Sequence, residues 1–214
     1  GDTSYLQEAK KLYEADASVA QGLSWNTNGG YGTWLYLTSA DGESDDKSLY
    51  EALKKDLDAQ AEAVLNMVHG NGYGMSLNAY NWGSNYQTAN NGMLLFMHYD
   101  LTDRQDSLAA AFEQLSYLLG QNALNMCFVT GFGTYSPTSI HNRLALAKNV
   151  LLQGALVGGP DGAREDEMTM ALPFDTPEAK VYVDSYRSYS TNETAIYYNS
   201  PLLALLTFLR QCKA

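Results

Sequence analysis

The residues best placed to do chemistry lie in the C-terminal third of the chain. Glu193 sits in the segment 189–199, ahead of an apolar run in which Pro201 suits the first position of a helix. With Ser200 or Asn199 as cap and 202–210 as body, that helix leaves Glu193 in a loop feeding a helix N-terminus, where exposed amide dipoles act on a carboxylate. Such a glutamate can give or take a proton, or it can be a capping or solvated residue. Asp184 precedes it by nine positions and reads as a second site carboxylate or as a turn carboxylate. His141 and Arg143 stand two apart, a spacing that turns both side chains the same way in an extended loop. Tyr198, Trp82, Trp25 and Trp34 carry flat amphipathic rings that suit protein cores and the apolar faces of ligands alike.

Other chemistries find less support. The three histidines, His69, His98 and His141, are widely separated, and no Cys–His cluster has zinc spacing. Cys127 and Cys212 form neither a metal-binding pair nor a disulfide framework. Gly131-Phe132-Gly133 lacks the third glycine and the preceding strand of a dinucleotide loop. Asp161, Glu165, Asp166 and Glu167 make an oxygen-rich loop that can either hold calcium or simply be solvated. Asn192-Glu193-Thr194 has the form of a glycosylation site, and we read it as accidental because a glycan there would cover Glu193.

Helices must position these groups. Leu6, Ala9 and Tyr13 have helical spacing behind a Thr or Ser cap at the start of the chain. Longer amphipathic patterns follow: Leu49, Leu53, Leu57, Ala61, Val64 and Leu65; then Ala89, Met93, Phe96 and Met97; then Leu108, Phe112, Leu115 and Leu119. Strand alternation is scarce, so the expected class is all-α. The intervening segments 24–31, 71–85, 131–137 and 158–177 are long, and loops of that length in a folded domain usually carry function. The 214 residues are 45% hydrophobic and 17% charged, which excludes a disordered chain. A net charge of -11 with no basic cluster argues against nucleic acid as a partner. The longest apolar run, around Leu202 to Leu209, is too short to span a bilayer, so no membrane is expected.

The stretch from Tyr182-Val183-Asp184-Ser185-Tyr186 through Asn192-Glu193-Thr194-Ala195 to Asn199-Ser200 resembles the C-terminal active-site motif of family 9 glycoside hydrolases. A second family motif is similar to Phe128-Val129-Thr130-Gly131-Phe132-Gly133 followed by Ile140-His141-Asn142-Arg143. It departs at Cys127 and Tyr135, and Asn142 stands where many members have a second histidine. Asn81-Trp82-Gly83-Ser84-Asn85 with Asn90-Asn91, and 154–161, resemble members that carry an immunoglobulin-like domain before the catalytic one.

The resemblance runs from near residue 1 to about residue 210 and covers about half of the family's catalytic domain. It implies that residues 1–214 are the C-terminal half of a single (α/α)6 toroid, with roughly six to seven helices here. It implies an inverting, secreted cellulase of endoglucanase type that cleaves β-1,4-glucan: cellulose, cellodextrins or mixed-linkage glucan. Glu193 would be the general acid, with Asp184 and His141 beside it and Arg143, Tyr198 and Trp82 binding substrate. No cofactor is needed for the chemistry, although related enzymes often hold structural calcium.

The family's pair of water-activating aspartates would lie before Gly1. No Asp-Ala-Gly-Asp-like segment occurs, and Asp41–Asp46 reads as a solvated turn before a helix. The expected partners are therefore the glucan and the missing N-terminal half or another copy, and the chain by itself is expected to be inactive. Two readings compete: a non-catalytic carbohydrate-binding or structural fragment, and another α/α-toroid carbohydrate enzyme such as a phosphorylase or lyase.

Overall fold

Amphipathic spacing becomes helix wherever it is sustained. The computed structural model describes residues 3–212, and isolated β-bridges take the place of strands among them. The helices are α1 (Thr3–Ala15), α2 (Gly29–Leu37), α3 (Gly42–Asp45), α4 (Lys47–His69), α5 (Ser84–Thr102), α6 (Gln105–Leu119), α7 (Arg143–Lys148), α8 (Glu167–Met170), α9 (Tyr189–Asn192) and α10 (Ile196–Leu209). The chain is all-α and forms part of an (α/α)6 toroid. Helices α1, α4, α5, α6 and α10 correspond to the helices anticipated from the sequence, whereas α2, which begins inside the expected loop 24–31, and α7 were not anticipated. The single turns α3, α8 and α9 are too short to show a hydrophobic period. The residue before Thr3, where a cap for α1 would sit, lies outside the described residues.

The core is built around α5, which packs against α4, α6 and α10. Its Ala89, Met93, Leu95, Phe96 and Met97 are buried on several sides, so it reads as an inner helix rather than a one-faced surface helix. Asp103 leaves α5 in a left-handed conformation (φ 57°), and one further residue leads into α6. Trp34 packs edge-on against Phe208 at 5.6 Å while Phe208 stacks on Phe96 at 4.7 Å, which sets the half-buried Trp34 against the core. Asp46 does not belong to a solvated turn. It caps α4 by accepting from the Leu49 amide at 3.0 Å and pairs with Lys10 at 2.6 Å.

The C-terminal helix differs from the expectation. It begins at Ile196, not at Pro201, with Ala195 at its N-cap, so Pro201 lies inside it. The proline has no amide to offer the Tyr197 carbonyl, and the Ser200 hydroxyl approaches that carbonyl at 3.4 Å in its place. Asn199, an anticipated cap, instead clamps a neighbouring segment: its amide donates to the Gly154 carbonyl at 2.7 Å and its oxygen accepts from the Leu156 amide at 3.0 Å. The loop around Glu193 therefore shrinks to the residues between α9 and α10. No helix among the described residues is long and apolar enough to cross a membrane.

Candidate active site

Three extended segments meet beneath Glu193. His141 bridges Glu193 in parallel, Val157 bridges Thr194 antiparallel, and Leu156 bridges Val129. The His141 amide donates to the Asn192 carbonyl at 2.8 Å, and the Gly158 amide donates to the Glu193 carbonyl at 3.0 Å. Gly159 has φ +92°, and a Cβ there would stand 2.4 Å from Asn85, so only glycine lets this segment pass so close. The backbone of Glu193 is thus held on both sides while its side chain stays half-buried.

One oxygen of Glu193 accepts from the Trp82 indole at 3.1 Å. Trp82 is 41% exposed, with its ring 5.2 Å from that of Tyr189, so it is not a core residue. It also lines a groove of about 360 Å³ with Trp25, Gly83, Tyr86, Gln87 and Asn90. Trp25 is 70% exposed and does not pack between helices. Its exposure comes from a tight turn in which the Ser24 amide donates to the Thr27 carbonyl at 2.6 Å, a local geometry that periodicity does not reveal. Tyr198 lies buried below, stacked on Tyr86 at 5.3 Å. Burial, and then the nearby Glu193 charge, push its hydroxyl well above the usual tyrosine range, so it stays a proton donor.

His141 is half-buried, with its ring stacked on Tyr186 at 4.9 Å. Its Nδ1 lies 2.6 Å from the Tyr186 carbonyl. A carbonyl can only accept, so Nδ1 carries the proton and Nε2 is left for a ligand. Arg143 does not continue an extended loop with His141. Asn142 intervenes as an N-cap, its side chain accepting from the Ala145 amide at 3.0 Å, and Arg143 opens α7. The Arg143 guanidinium is exposed and makes no hydrogen bond or ion pair among the described residues.

Asp184 is drawn in from the other side. Its oxygens accept from the Thr138 amide (2.9 Å) and hydroxyl (2.7 Å), the Ser139 amide (3.0 Å) and the Asn192 amide group (2.9 Å). Burial alone would push its pKa up, but these hydrogen bonds outweigh it and hold the carboxyl below the usual carboxylate range. Asn192 is fully buried and spends its side-chain nitrogen on Asp184 and the Ser139 carbonyl, leaving no room for a glycan. The structure thus gathers Glu193, Trp82 and Tyr198 directly, ties Asp184 and His141 to them through Asn192, and sets Arg143 at a neighbouring helix start.

The profile of glycosyl hydrolase family 9 matches residues 1–206. The chain belongs to this family. A xyloglucan-specific endo-beta-1,4-glucanase of Bacteroides ovatus is 29% identical over 96% of the family 9 chain and 37% of its own length. Endoglucanase C of Cellulomonas fimi is 34% identical over 89% of the chain and 18% of its own length. The crystal structure of a metagenome-derived glycoside hydrolase family 9 endoglucanase superposes with a TM-score of 0.86 at 31% identity, covering 98% of the chain and 38% of that structure. The family 9 chain therefore spans well under two thirds of each of these relatives.

In the acidic loop of the family 9 chain the carboxylates are engaged by protein groups, while one buried oxygen of Asp161 has no partner among the described residues. Asp161 accepts from the Glu165 amide at 2.7 Å, Glu165 accepts from the Trp82 amide at 3.0 Å, Asp166 caps α8, and Glu167 pairs with Arg187 at 3.2 Å. The four carboxylates face different protein partners, and no group of three or more His, Cys, Asp or Glu able to hold a metal gathers among the described residues.

Proposed function

We propose that the protein containing this chain is an endoglucanase that hydrolyses β-1,4-glucan with inversion, with Glu193 as general acid. The observation that carries this reading is the state of Glu193. Its backbone is pinned by bridges, one oxygen is oriented by Trp82 at 3.1 Å, and the other has no partner among the described residues. A glycosidic oxygen placed there receives the proton as the bond to the anomeric carbon breaks. A second carboxylate, from the part of the catalytic domain outside this chain, takes a proton from the attacking water on the opposite face. His141 through Nε2 and Arg143 through its free guanidinium bind sugar hydroxyls, while Trp82 offers a ring face for stacking. Tyr198 supports Trp82 from below. A polymeric substrate fits an enzyme acting outside the cell.

The test uses the full-length protein and Glu193→Gln, which keeps the size and removes the transferable proton. Turnover of cellodextrins should fall on the order of a hundredfold or more, with binding retained. A glycosyl fluoride, whose leaving group needs no proton, should lose far less. Wild-type turnover by the variant would reject Glu193 as the acid. Glucan binding without turnover by the unsubstituted protein would favour the non-catalytic reading instead.

A further inference from the structure

The turn that delivers Glu193 is anchored by a carboxylate to which no catalytic role has yet been given. Asp166 is 1% exposed. Its Oδ1 accepts from the Thr169 amide at 2.8 Å and hydroxyl at 3.1 Å, which closes the short helix α8. Its Oδ2 reaches across to the start of α9, accepting from the Ser188 hydroxyl at 2.8 Å, the Ser190 amide at 3.0 Å and the Ser190 hydroxyl at 2.9 Å. Helix α9 is one turn long and ends on Glu193, whose amide donates to the Tyr189 carbonyl at 3.2 Å. A single turn has little stability of its own, so its orientation depends on what holds its N-terminal end.

The residue before Asp166 secures the other side of the same contact. Glu165 accepts from the Trp82 amide at 3.0 Å through its carboxylate and from the Tyr189 hydroxyl at 3.0 Å through its carbonyl. Trp82 is the group that orients Glu193. Loop 161–166 therefore holds both the turn that carries the acid and the indole that aims it.

We propose that Asp166 is a positioning residue for Glu193, acting through Ser188 and Ser190 to set the angle of α9. The inference rests on Glu193 being the acid. Without the Asp166 carboxylate, the Ser188 and Ser190 hydroxyls and the Ser190 amide at α9 lose their buried acceptor, as do the Thr169 amide and hydroxyl at α8, and α9 is free to turn against Trp82. Displacement of a reacting group by about 1 Å lowers rates by roughly a hundredfold.

In the full-length protein, Asp166→Ala should lower kcat on cellodextrins by on the order of ten- to a hundredfold with KM little changed. The same variant should lose much less on a glycosyl fluoride, which does not need the acid. Added to Glu193→Gln, Asp166→Ala should lower cellodextrin turnover little further, because both act through one group. Ser190→Ala, which removes one donor and spares the cap of α8, should show the same substrate split at smaller size, and it serves if Asp166→Ala does not fold. Equal losses on both substrates, or losses that multiply with those of Glu193→Gln, would show a merely structural role and overturn the inference. A substrate split for Glu193→Gln with none for Asp166→Ala and Ser190→Ala would overturn this inference alone. Absence of a split for Glu193→Gln itself would overturn both.

Discussion

A carboxylate that accepts four hydrogen bonds from its own protein is poorly placed to exchange protons with a substrate, and Asp184 is in that position. Its geometry favours holding Thr138, Ser139 and Asn192 together over taking part in a proton transfer. Because the native carboxyl is held below its unfolded value, its contribution to stability is fully present above the unfolded carboxylate range, near pH 4, and is lost as pH falls through the lower native value. Asp184→Asn should therefore destabilise the protein at pH 7 by about 2 to 4 kcal/mol. The melting curves of the variant and the unsubstituted protein should converge below pH 4. A constant gap in Tm across that range, followed by circular dichroism, would show that charge at Asp184 is not what stabilises the site.

At the level of elements, the site depends on where short helices begin. Helix α7 starts at Arg143 because Asn142 caps it, and the same Asn142 donates to the Thr194 hydroxyl at 3.1 Å, next to Glu193. One side chain thereby couples the helix that presents Arg143 to the segment that presents the acid. Asn142→Ala should destabilise the protein by about 1 kcal/mol and raise KM for cellodextrins, whereas Asn142→Asp keeps the capping oxygen and should preserve most of the stability. Equal Tm values for both variants in calorimetry would argue that the cap is not what sets α7. Helix α10 shows the complementary case, since it tolerates Pro201 in its body with Ser200 beside the orphaned Tyr197 carbonyl.

For the whole molecule, the informative feature is apolar surface. Ile196, Leu203 and Leu206 on α10 and Leu144 and Leu146 on α7 are exposed. Large apolar side chains left exposed in this number favour contact with other protein. The chain also spans 38% of the solved endoglucanase that it resembles. Residues 1–214 alone should therefore release no reducing sugar from carboxymethylcellulose and should bind a hydrophobic dye strongly. Clear turnover by the verified isolated chain would show that every group needed for hydrolysis lies within it.

The sequence by itself was enough for the long helices, because α4, α5 and α6 repeat apolar residues over several turns and each repeat reinforces the last. It was also enough for the family, since the motif around Asp184 and Glu193 is a pattern of residue types that needs no coordinates to be seen. What it could not supply is the partner of each polar group. The helix start at Ile196 was decided by bridges from Val157 and His141, which lie 37 and 52 positions before the Thr194 and Glu193 that they pair with. Trp25 and Trp34 are the same residue type, yet one projects from a tight turn and the other packs on Phe208. Nothing in the sequence marked the partners of the acidic loop, and only the fold showed its carboxylates engaged with Trp82, Ser188 and Ser190. Local sequence carries backbone propensity and hydrophobic period, whereas hydrogen-bond partners are assigned by which distant segments the closed chain brings within about 3 Å.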